Sequence, residues 1–211
     1  RSTLFPYTTL FRSASIVGQE HYRRHFNLSD SKIKRILNDY DIIVPKPLHF
    51  QETVSEQYKL CHIPSDLELC KEVLHDLYPQ YDKAYIDFIE NGHDLYYANS
   101  YITDSETYQK VNNFIFKVID EIINRTGCHT FDDWKQHAMQ AKVGLLPKDH
   151  QNEGLTDAEY QARVCGVIAE RLFTLYVKAE NLTLFETDFA ILDEEWDKKS
   201  TKVMLVCIGR L

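Results

Sequence analysis

The segment GQEHYRRHF at residues 18–26 places two arginines, two histidines and a tyrosine next to one another. Guanidinium groups suit planar, two-pronged capture of phosphate oxygens, and Arg23 beside Arg24 could hold a diphosphate. On charge pattern alone the same residues could equally form a basic turn paired with Glu20, Asp30 or Asp39. A second candidate is the adjacent Glu170 and Arg171. They fall within the apolar stripe of Val167, Ile168, Leu172, Leu175 and Tyr176. A carboxylate there could act as a base, or it could be half of a buried ion pair. Asn99 suits either a strand-end turn or hydrogen bonding to a ligand. His62 and His93 have no partners in the sequence that would assign them chemistry.

No D-x-D motif is present, and the nearest acidic pair, Asp132 and Asp133, opens an expected helix, where it complements the helix dipole. No metal site is expected in these residues. The five cysteines, Cys61, Cys70, Cys128, Cys165 and Cys207, are scattered and never spaced C-x-x-C. This favours reduced thiols over disulfides or zinc.

The elements that must position these residues follow from hydrophobic period and punctuation. Ser15 to Gly18 reads as the end of a buried strand running directly into the basic segment, and ligands collect beyond such strand ends in open α/β sheets. A short helix is expected over 30–39 and a second strand over 40–44, stopped by Pro45 and Pro47. The S-x-x-E pattern at Ser65 and Glu68 predicts a capped helix to Leu77. Another helix is expected from Asp82 to Glu90, then a Tyr-rich strand over 95–102. Val111, Phe114, Ile115, Val118, Ile119 and Ile122 recur at helical spacing and Gly127 marks the stop. Residues 144–154 read as an exposed loop. Thr156 and Glu159 form a second capping pattern, opening a long helix to Ala179, and a last strand is expected over 182–192. Strands alternating with helices indicate a layered α/β domain.

Composition sets the outer limits. At 211 residues, 44% hydrophobic and 27% charged, the chain can build a proper core. No apolar run reaches the roughly 20 residues of a membrane span. Residues 1–13, RSTLFPYTTLFRS, show no periodicity and read back into codons as a sequencing-adapter oligonucleotide translated in frame. They are expected to contribute no packed structure. Setting aside Arg1 and Arg12 takes the formal net charge from −8 to −10. That balance argues against nucleic acid as a partner, since phosphate neutralisation needs excess Lys and Arg.

The string HYRRHF after Val17-Gly18 resembles the "GL-x-HYRRYF" signature of a bacterial family catalogued as domain of unknown function 4422, found in capsular and exopolysaccharide glycosyltransferases. YDIIVP at 40–45, TVSEQY at 53–58 with His62, and YANSYI at 97–102 keep the family's order, and RVCGVIAERLF at 163–173 is similar to its "R-x-x-G-F-[IL]-x-ERL" helix. The resemblance implies a truncated GT-A-like, nucleotide-sugar-binding α/β domain over residues 14–192. The activity it implies is transfer of a sugar from a nucleotide-sugar donor to a glycan or lipid-linked acceptor in capsular polysaccharide, exopolysaccharide or lipopolysaccharide synthesis. The location it implies is cytoplasmic, peripheral to the inner face of the membrane. His21, Tyr22, Arg23, Arg24, Asn99 and Arg171 would bind the donor, and Glu170 would meet an acceptor hydroxyl or serve as base.

The family's upstream strands and their Asp/Asn-rich stretch are absent from the sequence, so a divalent metal, if one is used, is expected to be held by that missing segment. Otherwise Arg23 and Arg24 would supply the charge that stabilises the leaving diphosphate. A noncatalytic sugar- or nucleotide-binding accessory module is the alternative. After a charged linker at 193–201, the apolar run at 202–211 reads as the first strand of a possible second glycosyltransferase domain. Its C-I-G-R element is similar to the opening of family ninety-two-type enzymes. The alternative for that run is a last edge strand of the same domain.

Overall fold

The computed structural model describes residues 15–20, 24–141 and 156–191. The adapter-like stretch 1–13, His21, Tyr22 and Arg23, the loop expected at 144–154, the linker at 193–201 and the run at 202–211 lie outside the described residues. The chain separates into two compact units. One comprises residues 1–47, 96–112 and 181–211, the other residues 48–95 and 113–180.

The first unit carries a four-stranded mixed sheet. Strand β1 (Ile16–Gln19) pairs antiparallel with β6 (Tyr101–Asp104), β6 pairs antiparallel with β3 (Ile42–Pro45), and β3 pairs parallel with β7 (Leu184–Thr187). Ile42, Ile43 and Val44 are all fully buried, so β3 has no polar face, as expected of a strand covered on both sides. A second ladder joins β2 (Arg24–Phe26) to β8 (Phe189–Ile191). Helix α1 (Asp30–Ile36) places Ile36 in a cluster with Phe26, Ile43 and Ile102, and Ile33, Phe185 and Phe189 pack against it. The helix stops at Ile36, short of the expected Asp39. Beyond it the amides of Asn38 and Asp39 reach back only three residues, to Arg35 and Ile36, the tight closing turn common at helix ends. Gly18 lets the strands approach closely, since a Cβ there would lie 3.0 Å from Ile102 Cγ1 across the β1–β6 ladder and the Ile102 side chain would have to shift.

The second unit is mostly helical, with one two-residue ladder between β4 (Leu48–His49) and β5 (Asp94–Leu95). Helix α2 (Val54–Cys61) begins at a reciprocal cap in which Thr53 Oγ1 accepts the Glu56 amide and the Glu56 carboxylate accepts the Thr53 amide. The T-x-x-E pattern at 53–56 would have announced it. The expected cap at Ser65 does not form. Helix α3 (Pro64–Leu77) starts two residues earlier, with Ile63 at the N-cap and Pro64 in its first turn, because proline's fixed φ suits that position and its missing N–H is not needed there. The helix expected over 82–90 is α4 (Asp82–Tyr85) followed by a π-helical turn (Ile86–Glu90).

Helix α5 (Ser105–Thr126) buries Val111, Phe114, Ile115, Val118, Ile119 and Ile122, and Gly127 follows at φ 71°. After α6 (Phe131–Ala141), the single helix expected from Thr156 is two. Helix α7 (Asp157–Gln161) has the Thr156–Glu159 cap, then the chain turns at Ala162 and Arg163 into α8 (Val164–Ala179). Asp133 accepts the amides of His129 and Thr130 ahead of α6, and Asp132 and Asp133 both lie in the first turn of that helix, where their charge complements the dipole.

Buried Asp66 on α3 accepts a hydrogen bond from His137 on α6 at 2.7 Å. Burial pushes the Asp66 carboxyl up, and the hydrogen bond and charge of His137 offset this only in part. The native state therefore holds a proton here more tightly than the unfolded chain. This group's contribution to stability falls as pH rises from the ordinary carboxylate range through the raised native value. Asp66→Asn keeps an acceptor oxygen for His137. It is expected to flatten that slope. A lower urea midpoint for the variant at neutral pH would show that the ionised carboxylate is net favourable.

Candidate functional site

The antiparallel register of β1 on β6 sets Gln19 opposite Tyr101, so the residues preceding β6 arrive just beyond the carboxyl end of β1. The strand expected over 95–102 is interrupted there. Ala98 and Asn99 occupy a tight turn at φ 66° and 46°. Asparagine tolerates this left-handed region, but for alanine the contact between Cβ and the following carbonyl costs about 1–2 kcal/mol. The turn is held by identifiable bonds: Gln19 Nε2 donates to Asn99 O at 2.5 Å, and Ser100 Oγ donates to Ala98 O at 3.0 Å. Strain that the surroundings enforce is a feature of ligand-holding segments.

Arg24 reaches the same neighbourhood. Its guanidinium lies 5.2 Å from the centroid of the Tyr97 ring, and Phe189 meets that ring edge-on at 6.0 Å. A stacked guanidinium is pre-organised for in-plane donation to oxygen acceptors. Glu20, between β1 and β2, accepts the Phe26 amide at 2.7 Å. Burial pushes its carboxyl up, and the Phe26 amide and His25 work against that. On β7, Glu186 accepts the Tyr96 hydroxyl at 2.6 Å. Thus Arg24 and Asn99 share the first unit with Glu20 and Tyr97, and with two polar groups that sequence reading did not single out, Gln19 and Glu186. Only the A-N-S sequence at 98–100, with asparagine's preference for the left-handed region, gave any advance sign of the turn.

Glu170 and Arg171 belong to the second unit. Arg171 is 4% exposed. Its Nη1 donates to Val167 O at 2.9 Å and its Nη2 to Gln57 Oε1 at 2.6 Å, and the guanidinium sits 5.0 Å from the Tyr58 ring centroid. Glu170 Oε2 stands 3.5 Å from Nη1. Burial lowers the guanidinium's proton affinity, while Glu170 and Tyr58 act in the opposite direction. This placement gives Arg171 an internal role, fastening α8 to α2. Glu170 is less buried, its side chain 22% exposed. His62 is buried, stacked on Tyr160 with its Nδ1 3.3 Å from Gln161 Oε1. Among the described residues no group of three or more His, Cys, Asp or Glu side chains is placed to hold a metal ion, and no helix is long and apolar enough to cross a membrane.

No curated protein matches the chain. Among solved structures it is similar to the WbbM bifunctional glycosyltransferase in its apo form, with a TM-score of 0.65 at 18% identity, over 89% of this chain and 36% of that one. The chain thus spans about a third of the length of that protein, and the likeness shows the fold, a mixed α/β, GT-A-like domain. The profile of the family described as domain of unknown function (DUF4422) matches residues 9–141, a span that holds Arg24, the Ala98–Asn99 turn and α6 and stops short of Glu170 and Arg171. With well over half of its length matched, the chain belongs to the DUF4422 family.

Proposed function

We propose that this chain is a glycosyltransferase domain that takes a sugar from a nucleotide-sugar donor and passes it to a glycan or lipid-linked acceptor during synthesis of a bacterial surface polysaccharide, working at the cytoplasmic face of the membrane. One observation carries the reading: the carboxyl end of β1 meets a strained Asn99 turn and the stacked pair of Arg24 and Tyr97. A sugar nucleotide presents a diphosphate and a set of hydroxyls, and a guanidinium fork beside an amide answers both. The fold shared with a protein named as a glycosyltransferase supports the same class.

In this reading Arg24, with His21, Tyr22 and Arg23 from the same segment, holds the diphosphate, and Asn99 reads a donor hydroxyl. The test is calorimetric titration of the 211-residue chain with UDP-, GDP-, dTDP- and CMP-sugars. One of them is expected to bind, and Asn99→Gly, which keeps the left-handed backbone and removes only the amide, is expected to weaken it about tenfold. Absence of binding across the set would overturn the reading. Binding with no transfer or hydrolysis would favour the accessory module.

A further inference from the structure

Gln19 is gripped at both ends of its amide. Its Nε2 donates to the Asn99 carbonyl at 2.5 Å, and its Oε1 accepts the Tyr108 hydroxyl at 3.1 Å. Those two bonds fix which way the amide points, because reversing it would set an oxygen against a carbonyl. Tyr108 is itself anchored. Its ring packs at 5.6 Å on Tyr101, and Asn112, one helical turn along α5, donates to the Tyr108 carbonyl at 2.9 Å and to the Tyr101 hydroxyl at 2.7 Å. The first turn of α5 is pinned in turn by Asp104, whose carboxylate accepts the amides of Glu106 and Thr107 at 2.8 and 2.9 Å. A continuous polar path therefore runs from the start of α5, through the end of β1, to the backbone of a turn that is strained at Ala98.

We infer that Gln19 and Tyr108 are positioning residues for Asn99: they hold the Ala98–Asn99 turn in its left-handed form, and so set the direction from which Asn99 meets a donor hydroxyl. The inference rests on the donor-binding reading of that turn. Without the Gln19 donor the turn loses its long-range bond to the Asn99 carbonyl, and the strain at Ala98 favours ordinary backbone conformations. Without the Tyr108 hydroxyl the Gln19 amide loses one of the two bonds that fix its orientation. The two residues act as one unit, so their effects should not add.

Gln19→Leu, Tyr108→Phe and the double variant test this, with Thr103→Val as a control. Thr103 donates to Asp41 O at 2.6 Å in the middle of the sheet, so its loss removes a comparable hydrogen bond away from the turn. Two readouts are needed. Hydrogen exchange of the amides of residues 98–101, measured without ligand, is expected to quicken about tenfold in Gln19→Leu and Tyr108→Phe and to stay unchanged in Thr103→Val. Affinity for whichever of the UDP-, GDP-, dTDP- or CMP-sugars binds the parent chain is expected to fall about fivefold to tenfold in each single variant, and no further in the double. Unchanged exchange at 98–101 in both single variants would overturn the inference whatever the ligand does. Faster exchange with unchanged affinity would overturn the link from the turn to the donor while leaving nucleotide-sugar binding intact. If no nucleotide sugar binds the parent chain, the donor-binding reading fails, and the inference fails with it.

Discussion

Replacing Arg171 by alanine is expected to lower the unfolding free energy by about 3–5 kcal/mol, the largest single effect on stability anticipated in this protein. The side chain is 4% exposed and supplies two short hydrogen bonds, one to the Val167 carbonyl within its own helix and one to Gln57 on α2. Its removal leaves the Gln57 oxygen and the Glu170 carboxylate short of their partner, takes the cation from the face of Tyr58, and opens a space that the helices can only partly close. Arg171→Lys keeps a charge but cannot reach both acceptors with a single ammonium, and about half of the loss is expected to remain. Trp134 is buried in the same unit, so its fluorescence during urea unfolding reports the change. A loss below about 1 kcal/mol for the alanine variant would mean that the guanidinium is not a structural pillar, and would return Arg171 to consideration as a ligand contact.

Arg24→Ala is expected to have the opposite signature, a large loss of donor affinity with little change in stability. Charge-assisted bonds from a guanidinium to a diphosphate contribute about 1.5–3 kcal/mol, which corresponds to roughly a 10- to 100-fold weaker dissociation constant. The contact with Tyr97 at 5.2 Å is the one stabilising interaction put at risk, and at a half-exposed site it contributes about 0.5–1 kcal/mol. Arg24→Lys should recover only part of the affinity, since a point charge replaces a fork and stacks less well on the ring. Calorimetry with the donor identified for the parent chain measures both variants, and Arg23→Ala belongs in the same series. Affinity equal to the parent in Arg24→Ala would remove this residue from the donor site.

The sequence by itself determined the elements whose signals are local. The stripe of Val111, Phe114, Ile115, Val118, Ile119 and Ile122 marked the buried face of α5, Gly127 its stop, and the Thr156 and Glu159 pair the start of α7. The apolar run at 42–44 marked the central strand, and HYRRHF with its companion strings pointed to the family whose profile matches residues 9–141. Each depends on the chemistry of neighbours within a turn or two, which a linear reading can inspect.

What only the tertiary structure decided depends on partners far apart in the chain. The turn that breaks the expected strand at 95–102 carries a bond between residues 80 positions apart, Gln19 and Asn99, which no local pattern announces. The internal anchoring of Arg171 likewise depends on Gln57, 114 positions away, whose side-chain oxygen takes one arm of the guanidinium. Capping signals failed in the same way. Ser65 and Glu68 carry a valid local pattern, yet Pro64 begins the helix ahead of them, and the stretch from Thr156 divides at Ala162 and Arg163 into two helices. Local patterns propose where an element can form; the long-range bonds and the space left by packing select among those proposals, because burying an unpaired donor or a misdirected side chain costs more than any local propensity returns.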